Sequence, residues 1–347
     1  MRASGTIGVA RHAVHWYCGI VLLATAALLL LGGLVTSKEA GMAVPDWPTS
    51  YGYNMFLFPI SRWVGGVFYE HVHRLVASTV GMLTVILTIW LLIVEPRRWV
   101  KILGGIATFA VIFQGVLGGI RVTLIKNEIG IFHGMLAQSF FLLIGILFVV
   151  TSASFIQGKW ADFSFDRSLK KWALAATIVI FLQLTIGATM RHEHAGLSIP
   201  DFPLAYGKWW PPMDAASIAQ INQERLSHSE MPTDALQIGL QMLHRLNALL
   251  ATALVGIFTV LAFRPNAAPA SIKRWALAWS FLICCQIGLG AWTIWSQKAA
   301  DIATAHMGIG ALLLLLGGIL TFRLFCAANT APVLHENSHP DMINLPA

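Results

Sequence analysis

Few ionisable residues interrupt the apolar runs of this chain, and they are regularly placed. Glu70, His73 and Arg74 stand in YEHVHRLVAS (Tyr69–Ser78). QMLHRLNALL (Gln241–Leu250) repeats the pattern with His244 and Arg245, but with Gln241 where the first stretch has glutamate. His133 (FHGMLA) and His306 (AHMGIG) occupy two further apolar runs. Ionisable groups are costly in hydrocarbon, so each marks a functional-site hypothesis. Imidazole suits iron, and facing helices of a bundle commonly hold a haem. Paired as His73 with His133 and His244 with His306, the four would be axial ligands to two haem irons. The residues one turn further on, Ala77, Ala137, Ala248 and Gly310, are small and would leave room for a flat macrocycle. A membrane histidine also serves simply to hydrogen-bond a neighbouring helix, and small residues also promote helix packing. Zinc or copper would take imidazole as well, although no carboxylate or thiol completes a compact site in the second half.

Glu70 against Gln241 is the telling asymmetry, because glutamate exchanges protons and glutamine does not. One reading gives Glu70 a catalytic proton relay; the other gives it an i,i+4 ion pair with Arg74. Arg74 and Arg245 directly follow their histidines. They are expected to meet haem propionates or to snorkel to lipid headgroups.

The elements that must position these residues are membrane helices. Of 347 residues, 56% are hydrophobic and only 11% charged, about half the charged share of a soluble domain. Eight runs reach the length needed to cross a bilayer: about 14–36, 69–94, 102–124, 129–153, 172–190, 237–263, 275–296 and 301–325. The first is too long for a signal-peptide core. The net charge of +7 sits in short loops rather than in a nucleic-acid-binding patch. Arg97, Arg98, Lys101, the cations of 159–171 and 264–274, Arg2 and Arg11 place both termini in the cytoplasm by the positive-inside rule. Cys18, Cys284, Cys285 and Cys326 lie in or beside spans and form no disulfide framework.

The chain is written twice. GMAVPDWPTSYG (Gly41–Gly52) returns as GLSIPDFPLAYG (Gly196–Gly207) at an offset of 155; Gln114 and Gly118 return as Gln286 and Gly290 at 172, and His133 as His306 at 173. The expected fold is all-α and polytopic: two parallel-repeat four-helix bundles, related by a pseudo-two-fold along the membrane normal. The first repeat spans 14–153 with an outer loop at 37–68. The second spans 172–325 with an outer loop at 191–236, enlarged by 16 residues near the polar Asp214–Asp234 segment. A disordered cytoplasmic tail is expected over 326–347. In each loop a proline-bracketed aromatic makes a stiff lid, tied down by Asp46 or Asp201. All four histidines fall near the outer face, which disfavours electron relay across the bilayer.

With GGLVT, the AGMAVPDWP loop, EHVHR, FHGMLAQ, the AGLSIPDFP loop, QMLHR and AHMGIGA in this order, the chain resembles the haem A synthase family over about residues 14–325. The resemblance implies an inner-membrane oxidoreductase assisting cytochrome oxidase assembly. It would convert haem O to haem A by successive hydroxylations of a ring methyl to a formyl group. It also implies haem b on His244 and His306, the substrate haem O on His73 and His133, and Glu70 as the catalytic glutamate. Its implied partners are dioxygen, an electron donor that the sequence does not identify, haem O synthase and cytochrome oxidase assembly factors. Some members carry a cysteine pair in the first outer loop; this chain has none there. The competing expectations are a non-catalytic dihaem cytochrome passing electrons along the outer face, and a haem or metal transporter.

Overall fold

Apolar runs too long to be satisfied by anything but internal backbone hydrogen bonds fold as helices. The computed structural model describes residues 2–124 and 126–328, and among these it contains no β-strand, only isolated bridges at Ser50–Tyr53 and Ala205–Lys208. The α-helices are α1 (Arg2–Ser37), α2 (Gly66–Val94), α3 (Arg98–Leu124), α4 (Asn127–Val150), α5 (Ala153–Ile156), α6 (Ser168–His192), α7 (Ala215–Ser227), α8 (Ala235–Ala262), α9 (Ala270–Trp295) and α10 (Ala300–Ala328). All but α5 and α7 are long and apolar enough to cross a membrane.

The spans match those read from hydropathy, and the ends differ for local reasons. α6 starts at Ser168 because Asp166 Oδ1 accepts the Ser168 N–H at 2.8 Å; its first turn carries Lys170 and Lys171, which hydropathy discards. α4 stops at Val150, where Ser152 turns the chain and caps α5. The enlargement of the second loop contains α7, capped by Asp214 accepting from Ser217 N–H. α8 starts on a reciprocal capping box between Asp234 and Gln237. α10 continues through Ala328, three residues into the expected tail; the remainder of that tail lies outside the described residues.

Packing follows the duplication. α1 contacts α2, α2 contacts α3, α3 contacts α4 and α4 returns to α1; α6, α8, α9 and α10 close a second ring in the same way. α1 and α4 meet α10, and α4 also meets α6. Small residues let α4 and α10 approach closely. A Cβ on Gly318 would lie 2.5 Å from Leu142 Cδ1, and one on Gly145 would collide with Leu315. Gly145 and Gly318, like Leu142 and Leu315, are equivalent at the offset of 173, so this contact is reciprocal.

The two larger apolar clusters are centred away from the histidines, while a smaller one of Ile199, Ala205, Ile238 and Met242 lies under the second loop. The cluster of the first ring is built around Cys18, Leu87, Val100, Ile144 and Leu147, at the start of α1 and α3 and the end of α2 and α4. That of the second ring is built around Leu169, Phe258, Ile272, Trp279 and Leu320, at the corresponding end. The histidines stand at the other end, under the two long loops.

Candidate functional site

Each of the four histidines falls within the first three turns of its helix and meets a glycine near the close of the preceding span. A Cβ on Gly32 would lie 3.1 Å from His73 Nε2, and on Gly118 3.4 Å from His133 Cε1. On Gly187 it would lie 3.0 Å from His244 Cε1, and on Gly290 3.1 Å from His306 Cε1. Gly32 and Gly187 are repeat equivalents, as are Gly118 and Gly290. Four imidazoles therefore rest on backbone that only glycine leaves bare, all at one end of the molecule.

Glutamines fix the height of two of these turns. Gln114 Nε2 donates to the His133 carbonyl at 2.9 Å, and Gln183 Nε2 donates to the His244 carbonyl at 3.0 Å while lying 3.2 Å from His244 Nδ1. Nδ1 of His133 and of His306 is buried without a well-formed hydrogen bond, the backbone of Gln114 and Gln286 respectively being within electrostatic reach. The rings of His244 and His306 are 6.4 Å apart, centre to centre, at an interplanar angle of 61°. Two imidazoles bonded to one metal through nitrogens at about 2 Å, with each ring centre about 1 Å behind its nitrogen, stand roughly 6 Å apart. His73 and His133 are within electrostatic reach of one another. Among the described residues no three His, Cys, Asp or Glu side chains converge as a metal-binding set. Each pair offers two nitrogens and leaves the remaining positions to a ligand that brings its own donors, as a porphyrin does. The residues present fit haem.

The small residues one turn below the histidines do not all serve one purpose. Ala77, Ala137 and Ala248 are half-buried. Gly310 lies against neighbouring helices instead: its Cβ would be 2.9 Å from Leu184 Cδ2 and 3.2 Å from Gln286 Nε2. Its size admits α6 and α9 rather than opening room for a macrocycle.

Glu70 and Gln241 anchor the two loops in the same way. Glu70 Oε2 accepts the Val44 N–H at 2.7 Å; Gln241 Oε1 accepts the Ile199 N–H, its repeat equivalent, at 2.6 Å. Glu70 Oε1 also pairs with Arg74 Nη2 at 2.6 Å, with both side chains nearly buried. Arg74 donates further to the carbonyls of Val44, Asp46 and Thr49. Arg245, with no carboxylate at position 241 to pair with, donates to the carbonyls of Asp201 (2.6 Å) and Leu204 (2.8 Å). Beside the propionate and headgroup contacts expected of these arginines, the structure gives them a third set of partners, the loop carbonyls. Their terminal nitrogens bind loop backbone, because the PDWP and PDFP segments turn their carbonyls toward the helix start.

The loops repeat most of their hydrogen bonds. Asp46 accepts from Thr49 Oγ1 and from the N–H groups of Tyr51 and Gly52; Asp201 accepts from those of Tyr206 and Gly207. Tyr51 donates its hydroxyl to the Ala43 carbonyl, and Tyr206 to that of Ser198. Trp47 lies directly on Gly119 of α3, where any Cβ would collide with its ring, so the first loop folds back over the bundle as expected. Burial works against the charge of Asp46, but its hydrogen bonds from Gly52, Thr49 and Tyr51 outweigh that and hold the carboxyl below its ordinary value. A carboxyl depressed in the folded state contributes stability that is present above its unfolded value, about 4, and lost as pH falls through the folded value. Exchange protection of the Tyr51 and Gly52 amides is expected to hold at neutral pH and to fail below about pH 4; protection unchanged at about pH 2 would contradict it.

Other residues stand where the sequence did not place them. His71, which has no repeat partner (Met242 stands at its equivalent), is fully buried beneath the first loop, against Trp63 (ring centres 4.7 Å) and Phe58 (5.0 Å). His192 ends α6 and covers Gly130 of α4 instead of lying in a loop. Arg121 of α3 and Arg191 of α6 also reach the histidine end; neither was singled out from sequence. The only signal was an arginine near the end of an apolar run.

A family model described as "Cytochrome oxidase assembly protein" (COX15-CtaA) matches residues 15–317. Curated relatives named "Heme A synthase" include one from Shewanella oneidensis, 25% identical over 323 residues, covering 86% of this chain and 93% of the relative. One from Shouchella clausii is 28% identical over 270 residues (75% and 78%), and one from Geobacillus kaustophilus 25% over 339 (93% and 95%).

Proposed function

Since the chain belongs to the COX15-CtaA family of cytochrome oxidase assembly proteins, we propose that it makes haem A from haem O, oxidising a ring methyl to a formyl group. The observation that carries this reading is the duplicated imidazole pair on glycine, with a carboxylate beside one pair and an amide beside the other. In this reading residues 14–153 form the substrate half and 172–325 the cofactor half, related by a pseudo-two-fold along the membrane normal. The reciprocal Gly145–Leu315 and Gly318–Leu142 contacts support that symmetry. The loop cations orient both termini to the cytoplasm of a bacterial-type inner membrane and both sites to the outer face.

His73 and His133 hold haem O, while His244 and His306 hold a resident haem b. Haem iron, when bound, supplies the electron and oxygen chemistry. Glu70 holds and moves a proton beside His73. Anchoring does not account for its carboxylate, because Gln241 makes the same bond to the loop and Arg245 finds partners without one. The lid carrying Trp47 limits water access. Dioxygen and an electron donor complete the reaction.

Extraction and chromatography of the haems from purified protein tests the reading: haem O and haem A are expected alongside haem b, and haem b alone would overturn it. The glycine floors make a further prediction. Gly290→Val drives a branched side chain into the His306 ring. Overpacking of about 1–3 kcal/mol should weaken haem binding in the second half roughly ten- to a hundredfold. Gly288→Val is the control, since nothing lies within 4 Å of a Cβ there. Equal haem-to-protein ratios in the two variants would refute the role given to Gly290.

A further inference from the structure

Two guanidiniums at the histidine end, those of Arg121 and Arg191, have no carboxylate hydrogen-bonded to them among the described residues, and Arg191 lies between the pairs, within electrostatic reach of His306 as well as of Arg121. Arg121 of α3 is within electrostatic reach of His73, His133 and Glu70. Glu70 is already committed to Val44 and Arg74. Among the described residues the Arg121 guanidinium makes no hydrogen bond and no salt bridge. It lies against Gly41, where a Cβ would be 3.2 Å from Nη2 and 3.4 Å from Nη1. Arg191 of α6 is within electrostatic reach of Arg121, and so is His192. Arg191 donates from Nη2 to the Gly33 carbonyl (2.7 Å) and Ser37 Oγ (2.5 Å), both in α1. His192 sits over Gly130 at the start of α4 and within reach of His133.

Neither arginine belongs to the repeat. The equivalent of Arg121 is Thr293 and that of Arg191 is Thr36. Both threonine hydroxyls bond back to their own helices, on Leu289 and Gly32. Two guanidiniums near one another in a half-buried place repel, and uncompensated charge there is costly unless an anion joins them. Guanidinium donors suit a carboxylate in particular.

We propose that Arg121, supported by Arg191 and His192, is a carboxylate clamp that receives a propionate of the haem held between His73 and His133. The clamp rests on the reading of that first half as the haem O site. It shares the propionate role expected of Arg74, whose guanidinium also holds Glu70 and the loop carbonyls. It also distinguishes the two halves: a substrate that must enter and leave is oriented by a cation that the resident cofactor's half lacks at the equivalent position.

The test compares haem O with its propionate dimethyl ester, titrated into the purified full-length protein in detergent and followed by Soret absorbance. The intact protein is expected to bind the ester about ten- to a hundredfold more weakly, the size of one or two lost charge-assisted hydrogen bonds. Arg121→Gln should bind haem O more weakly by a similar factor and scarcely distinguish acid from ester, and Arg121→Lys should recover part of the difference. Equal binding of acid and ester by the intact protein would overturn the clamp and leave the cluster to another anion, such as a lipid headgroup. Undiminished discrimination in Arg121→Gln would overturn it too. If Arg121→Gln loses the haem of the second half and so fails to fold, the acid–ester comparison in the intact protein decides alone. The underlying reading fails separately: haem O uptake identical in intact protein and His73→Ala means that the first half is not the site, whatever Arg121 does.

Discussion

Glu70→Gln is expected to give a folded protein that binds haem in both halves and forms no haem A. The second half supplies the reason that folding survives. Gln241 accepts the Ile199 N–H at 2.6 Å with its amide oxygen and donates its amide N–H to the Ile199 carbonyl at 3.1 Å. An amide at position 70 can therefore hold Val44 as the carboxylate does. Arg74 loses its ion pair but keeps the carbonyls of Val44, Asp46 and Thr49, much as Arg245 lives on Asp201 and Leu204. The stability loss should be modest, about 1–2 kcal/mol, whereas Glu70→Ala would leave a buried N–H and a buried guanidinium short of partners and cost about 3–5 kcal/mol. What the amide cannot do is take and return a proton. Loss of a positioned acid–base group lowers rates about 10²–10⁴-fold, so haem A should fall to the detection limit while the haem O content of the purified protein rises. Haem A at the unaltered yield would show that Glu70 is only an anchor.

That comparison marks how far the sequence alone could be read. The spans, the duplication and the four histidines were legible because each is a local pattern: hydropathy over some twenty residues, or a short motif recurring at a fixed offset. The Asp46 and Asp201 turns were legible for the same reason, since each aspartate bonds amides five and six residues ahead. What escaped was pairing at a distance. Glu70 reaches Val44, 26 residues away, and Gln241 reaches Ile199, 42 away. Once those contacts are known, the Glu-to-Gln difference changes from a gap in an ion pair into a conserved geometry with altered chemistry. The fate of Arg74 and Arg245 was hidden likewise, because carbonyl acceptors leave no trace in side-chain identity.

The repeat itself both revealed and concealed. Gly32 and Gly187 share the 155 offset, as do Val44 and Ile199, so the glycine floors could have been found by asking what each histidine faces across the ring. Arg121 and Arg191 resisted that search because their equivalents are threonines. A reading built on matched pairs passes over residues present once. Those are the places where two copies of one bundle acquire different tasks.

Removal of a single second-half imidazole should have the largest visible effect. His244→Ala and His306→Ala are each expected to purify without the resident haem, taking the haem-to-protein ratio for that half from stoichiometric to background. The polypeptide should remain folded. The buried cluster around Phe258, Ile272, Trp279 and Leu320 lies toward the opposite end of the same helices, and alanine is the best helix former. His73→Ala and His133→Ala should behave differently, keeping the resident haem with an unchanged spectrum but forming no haem A. This division separates ligation from the plainer role of a histidine tying two helices together. A structural tie would be lost equally from either half, would lower thermal stability, and would spare haem content. If His244→Ala retains a full complement of haem, the 6.4 Å separation of the two rings reflects helix packing alone, and the assignment of the second half as a cofactor site falls with it.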